Sequence, residues 1–398
     1  MGWARGEKRG LGGVVPPDGV TADRPALHLR RRLLGVGLGF AAWVGFRLLS
    51  SYPSMAEAVA STGPLPELAR ILSVATGRVP FALAEALVLL FLLRQGMGLA
   101  RGVSQLRAGK DRLPRTFARG GLRLAQDIGV LVFLFYVLWG FQYARAGLDG
   151  HLGIASTGEV SASEIQPLAL RAIERTNELY REIHGSPDAG HPTASPPIEV
   201  LVSGLEEGWI GVRAALDLPL RMERTHGGPK SFLATPLMKR LGVGGMYFPF
   251  TAEALVLGDL PGALLAKSLA HEMAHQRGIA SESDANVLAF LVARESPDPV
   301  ARYSAYIFLQ QQLVRILQSL ASEESEWVVG ERYPGVRRDL VEAHAYWEPA
   351  RGAAGAAATR VNDVMLRSHG VADGVGSYRG SVWILVALAR DRGESALF

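Results

Sequence analysis

"LAHEMAHQRGIASESDAN", Leu269 to Asn286, places two histidines four residues apart, a glutamate directly after the first, and an acidic cluster a short turn later. On a helix, His271 and His275 stand one turn apart on the same face, the geometry two imidazoles need to share one zinc ion. Glu272 is rotated around the axis, where it can take a proton from water that the metal activates. Gly278 is placed to end this helix as a left-handed cap, and Ser281 with Asp284 forms an N-cap pair that starts the next one. The chain therefore turns back at once, and a third ligand comes within reach. Glu282 is the best-placed carboxylate and Asp284 its rival. Asn286, one turn beyond Glu282, can accept from a ligand histidine's other N–H. Three protein ligands leave one position open, as catalytic zinc requires. The plain alternative is a solvated helix with two incidental histidines.

The 398 residues contain no cysteine, so disulfides and thiolate ligands are excluded and any metal is held by His, Asp or Glu. The apolar share of 48% is high for a chain that lives wholly in water. Three apolar runs account for it: residues 33–50, 79–93 and about 124–143. The second is short and carries Glu85; the third ends in Trp139, Phe141 and Tyr143, an interfacial aromatic belt. Between the second and third runs, eight Arg and Lys residues from Arg94 to Arg123 face one acid, Asp111. Basic residues placed between apolar runs fit the positive-inside rule and give no reason to expect nucleic acid. The expected plan is a basic cytoplasmic tail at 1–29, a three-helix transmembrane region at 30–145 with a cytoplasmic loop at 94–123, and an extracytoplasmic domain at 150–398. A cleaved signal sequence ending at Ala58–Ala60 is the competing plan, but the apolar stretch is long for one and stops well before that site.

After Gly150 the composition is that of a soluble domain, and the expected fold is mainly α, in an α+β arrangement with a small sheet. Apolar spacing predicts a helix over 162–185, ended by the Pro- and Gly-rich loop 186–197. "IEVLVSG", 198–204, reads as a short strand, with a helical stretch around 209–220. "GGMYFPFTAEALVL", 244–257, reads as a strand or strand pair broken at Pro249, which suits a sheet edge where a peptide could pair main chain to main chain. Helices are expected at 282–295, 299–322, 336–347, 352–368 and 377–391. Tyr378 is the first candidate for an oxyanion-steadying hydroxyl, and Tyr303, Tyr306 and His344 are weaker ones.

The glycine three residues after His275 suits a metzincin, whose third histidine would fall at Ser281; serine there argues against that group. Glu282 to Asn286 instead resembles the third-ligand helix of gluzincin peptidases, with asparagine where that pattern has aspartate. More broadly, "YPSMAEAVASTGPLPELARIL", "RVPFALAEAL", "LWGFQYAR", "GGMYFPFTAEALV", "HEMAHQRGIASESDANVLAFL", "RYSAY" and "VNDVMLRSHGVADGVGSY" resemble, in order, the bacterial membrane-protein family known as domain of unknown function 3810. The resemblance runs from about Ser51 to the C-terminal helix and implies N-terminal transmembrane helices followed by a zincin-like domain. Asp284 and Gln142 depart from it, standing where glutamate and asparagine are expected.

The expected function is a zinc metallohydrolase anchored in the bacterial cytoplasmic membrane, a peptidase acting on a peptide or protein outside it. His271, His275 and Glu282 would hold the metal and Glu272 would act as base. A zinc-dependent sensor or scaffold that binds a partner without turnover is the alternative. Glu272 distinguishes them, because a pure binding site needs ligands and no base.

Overall fold

The computed structural model describes residues 24–154 and 160–398; most of the expected basic tail, residues 1–23, lies outside them. Four helices of more than ten residues come first among the described residues: α1 (Arg24–Leu49), α2 (Pro64–Gly77), α3 (Leu83–Arg107) and α4 (Leu113–Leu138). Of these, α1, α3 and α4 are long and apolar enough to cross a bilayer, as a membrane protein requires. Their flanks leave large apolar side chains such as Leu34, Phe40, Leu89, Leu90 and Leu99 exposed, a surface suited to lipid rather than water. The basic segment 94–123 is not a loop. Arg94, Arg101 and Arg107 continue α3, Arg115, Arg119 and Arg123 begin α4, and a five-residue turn over 108–112 joins them.

Glycine sets how closely α1 and α4 cross. A Cβ on Gly129 would lie 2.4 Å from the Gly35 carbonyl oxygen, and one on Gly39 would lie 2.5 Å from that of Gly129. Gly35 and Gly39 form a small-x3-small step along α1, which lets the backbones touch where side chains would hold them apart.

The remaining chain builds a helical domain around a small sheet. Its elements are α5 (Ala162–His184), α6 (Ile198–Leu216), β1 (Lys230–Ser231), β2 (Gly245–Phe248), β3 (Glu253–Val256), α7 (Gly262–Gln276), α8 (Glu282–Arg294), α9 (Pro299–Leu320), α10 (Pro334–Tyr346), α11 (Ala353–Ser368) and α12 (Ser381–Arg392). The sheet order is β1-β3-β2, with β1 parallel and β2 antiparallel to β3. β2 is therefore an edge, and the pair broken near Pro249 matches the expected strand pair. "IEVLVSG" is not a strand but the opening of α6. Leu201, Leu205, Trp209, Val212 and Leu216 are all buried at helical spacing, and a Cβ on Gly208 would strike the Val292 carbonyl oxygen of α8 at 2.2 Å. The core also holds Tyr180, Phe290 and Tyr303, and Val382, Leu385 and Val386 of α12 join it rather than a bilayer.

Polar contacts bind the domain-facing ends of the apolar helices to this domain. Glu253 of β3 accepts from the Leu83 and Ala84 amides at 3.1 and 2.7 Å, capping the N-terminus of α3, and is ion-paired with Lys230. Glu85, the acid within the second apolar run, sits in the first turn of α3 and accepts from the Leu233 and Ala234 amides at 2.7 and 2.8 Å. Thr76 at the end of α2 donates to the Thr251 carbonyl at 2.9 Å.

Candidate metal centre

α7 carries His271, Glu272 and His275 and ends where the sequence places its stop. Gly278 has φ +90°, its N–H reaches the His275 carbonyl at 2.8 Å, and the Ile279 N–H reaches that of Ala274 at 3.2 Å. These two bonds make a Schellman turn, which only a residue at ease with positive φ completes without strain. Ser281 then accepts from the Asp284 amide at 3.2 Å and starts α8. Two helices joined so tightly lay Glu282, the first residue of α8, against the histidine face of α7.

His271 Nε2 lies 3.1 Å from His275 Nε2 and 3.1 Å from Glu282 Oε2, and His275 Nε2 lies 3.4 Å from the same oxygen. Ligands about 2.0–2.1 Å from a tetrahedral zinc stand roughly 3.3 Å apart, so these spacings fit one small cation. The three side chains are 9–11% exposed. His275 Nδ1 donates to the Ile279 carbonyl at 2.6 Å, which fixes the tautomer and turns the Nε2 lone pair toward the other two groups. The Schellman turn thus also orients His275.

The electrostatics favour positive charge at this point. Burial opposes a charge on His275, yet the Glu282 and Glu272 carboxylates raise its pKa above the ordinary histidine value. Burial holds His271 below it. Burial opposes the Glu282 carboxylate too, but His275 and the two histidine hydrogen bonds keep it well below the usual carboxylate range. Two imidazoles and a carboxylate that together demand one cationic centre are a donor set suited to zinc.

Glu272 lies behind this trio. Burial pushes its pKa up to about 8, against the pull of His275 and a hydrogen bond from the Tyr247 amide. Oε2 is buried with no protein partner. Gly245 is what makes the fit: a Cβ there would stand 2.4 Å from Glu272 Oε1. The backbone of β2 therefore lies directly against the carboxylate.

The other sequence candidates fall elsewhere. Asp284 Oδ2 accepts from the Leu148 amide at 3.0 Å, and burial raises its pKa to about 6; it holds the chain leaving the apolar helices and does not face the trio. Asn286 accepts from Lys267 rather than from a histidine, and His271 Nδ1 is buried with no protein partner. Tyr303 donates to Asp339 and Tyr306 to the Leu397 carbonyl, both in the core, while His344 is exposed beside Glu348. Tyr378 belongs to the short helical turn Gly374–Arg379, and its side chain lies outside the described residues.

Several neighbours escaped sequence reasoning. The Trp139 ring stands edge-on to His275 with centroids 5.9 Å apart, and tilted against Tyr247 at 4.7 Å. The Tyr143 hydroxyl is raised to about 12 by burial and the nearby Glu282 charge. Arg145 donates to the Gly278 carbonyl at 3.1 Å. All three lie at or just past the end of the third apolar run, more than 120 residues before the motif, where the sequence marked Trp139 and Tyr143 as an interfacial belt and Arg145 only within "LWGFQYAR".

The family model described as "Protein of unknown function (DUF3810)" matches residues 61–386. The match begins ten residues later than the resemblance that starts at Ser51, and leaves α1 outside it. No curated protein and no solved structure matches the chain.

Proposed function

We propose that this chain, which belongs to the DUF3810 family, is a membrane-anchored zinc metallohydrolase that cleaves peptide bonds. The observation that carries this is the convergence of His271 Nε2, His275 Nε2 and Glu282 Oε2 within 3.1–3.4 Å, with Glu272 beside them. Bound zinc supplies Lewis acidity, acidifying water and polarising a carbonyl. Glu272 takes a proton from water at Oε2, which has no protein partner, and returns it to the leaving amine. The outer edge of β2, which offers the Tyr247 amide to Glu272, is where an extended peptide would lie. The basic turn between α3 and α4 favours a cytoplasmic position, which puts the domain outside the bacterial cytoplasmic membrane.

The test uses the full chain purified in detergent. Wild type should hold about one zinc, Glu282→Ala should lose it, and Glu272→Gln should keep zinc but not hydrolyse a peptide library. A folded wild type without zinc would refute the metal centre. The burial of the trio favours a second reading, a zinc-dependent scaffold that binds a partner; zinc without turnover in wild type would select it.

A further inference from the structure

A cavity adjoins the metal centre at the end of the third apolar helix. It encloses about 330 Å³ between α2, the end of α4 and the segment before β1, within the range that holds a small ligand. Trp139 and Tyr247 form the wall it shares with the trio, and Leu138 places it at the end of the third apolar helix.

Its lining is strongly unbalanced in charge. Arg70, Arg221, Arg224 and Arg277 line it against Glu67, the one carboxylate among the described lining residues. Arg70 and Arg224 both spend their charge on Glu67, at 2.6 and 2.8 Å, so two guanidiniums share one carboxylate. Arg277 is fully buried at its side chain and pairs with Glu206 from outside the cavity, while Arg221 Nη1 donates to the Arg277 carbonyl. The field is felt by His226 in the same wall: burial, then the charges of Arg277, Arg70 and Arg221, push its pKa down to about 3.

The guanidiniums of Arg70, Arg221 and Arg224 around a small cavity suit a phosphate: their planar forks match its oxygens in pairs, and they stay charged when desolvated. We propose that this cavity binds a phosphate oxyanion at the membrane surface, carried by an anionic lipid headgroup or present as free phosphate. Leu138 and Trp139 offer an apolar side along which a lipid's remainder can run. The site stands whether or not the trio holds zinc.

The test measures thermal melting of the full chain in nanodiscs of phosphatidylcholine, alone or with one phosphatidylglycerol in four lipids, and in detergent against inorganic phosphate at matched ionic strength. Stabilisation by phosphatidylglycerol alone assigns the lipid, and equal stabilisation by inorganic phosphate assigns the free ion; either supports the site. Arg224→Gln should weaken the apparent affinity about ten-fold, the loss of one charged hydrogen-bond pair. Glu67→Gln should tighten it, because both Arg70 and Arg224 are released to the ligand, and a gain cannot come from misfolding. No response to either probe in wild type, with none gained in Glu67→Gln, would overturn the proposal.

Discussion

Replacing Gly278 by alanine probes the link between a helix stop and a metal ligand. At φ +90° a side chain strains the backbone by about 1–2 kcal/mol. Sterics are not at issue, since the new Cβ would meet Arg221 and Gln142 atoms at 3.5 Å, ordinary contact. Relief comes by unwinding the turn, which withdraws the Ile279 carbonyl from His275 Nδ1, now 2.6 Å away. That hydrogen bond holds a neutral imidazole with its lone pair inward, and groups in this role commonly govern about 10–100-fold in metal affinity. Strain and hydrogen bond are of similar size, so the turn should yield and zinc affinity should fall by about ten-fold. Competition with a chromophoric chelator measures it, and Gly278→Asn, which tolerates positive φ, should lose less. If Gly278→Ala melts earlier in the chelator-stripped protein yet binds zinc as tightly as wild type, the Ile279 carbonyl does not orient the ligand.

Gly245→Ala should push the Glu272 carboxylate from its place; zinc is retained while peptide hydrolysis falls, and unchanged turnover would show that β2 gives way instead. Gly129→Ala should force α1 and α4 apart at a cost of about 1–3 kcal/mol, whereas Gly37→Ala, whose Cβ meets nothing within 4 Å, should leave the melting midpoint unchanged. His226 is pushed down to about 3 from an unfolded value of about 6.5. Below pH 6.5 the unfolded chain takes up a proton there that the folded protein declines until about 3, so stability present above 6.5 is lost on acidification. His226→Gln should flatten that part of the stability curve, and parallel curves for the two proteins would refute the assignment. A chain cut at Gly150 should bind zinc poorly and be digested rapidly by protease, because Trp139, Tyr143 and Arg145 leave with the apolar helices; full zinc occupancy in the fragment would show that they are dispensable.

What could be read from the sequence was what local spacing encodes. His271, Glu272 and His275 lie within two turns of one helix, and Gly278 and Ser281 bracket a turn short enough to bring Glu282 back, so the trio followed from periodicity and capping. The N-cap at Ser281 makes Glu282 the first helical residue, but spacing left both Glu282 and Asp284 open as the third group beside the histidines. "IEVLVSG" misled because β-branched residues dominate it, although the spacing from Leu201 to Leu216 extends a helix through it. Gly245, Trp139 and Lys267 could not be assigned in this way. Their roles depend on which distant backbone or ring lies beside them, and no local pattern records that.

Polar contacts cross the boundary near Gly150 at which the composition changes. Asp284, two residues from a ligand, takes the Leu148 amide; Arg145 holds both Glu57 and the Gly278 carbonyl; Gln142 reaches the Ala60 carbonyl at 3.0 Å. Two of these bonds reach Glu57 and Ala60 in the chain between α1 and α2, one reaches Gly278 in the turn that orients His275, and one reaches Asp284 in the first turn of α8. A shift at the outer end of α4 therefore moves Trp139 against His275 and Arg145 against the turn at once. The ends of the apolar helices thus form one side of the surroundings of His271, His275 and Glu282, through Trp139 against His275 and Arg145 on the Gly278 carbonyl.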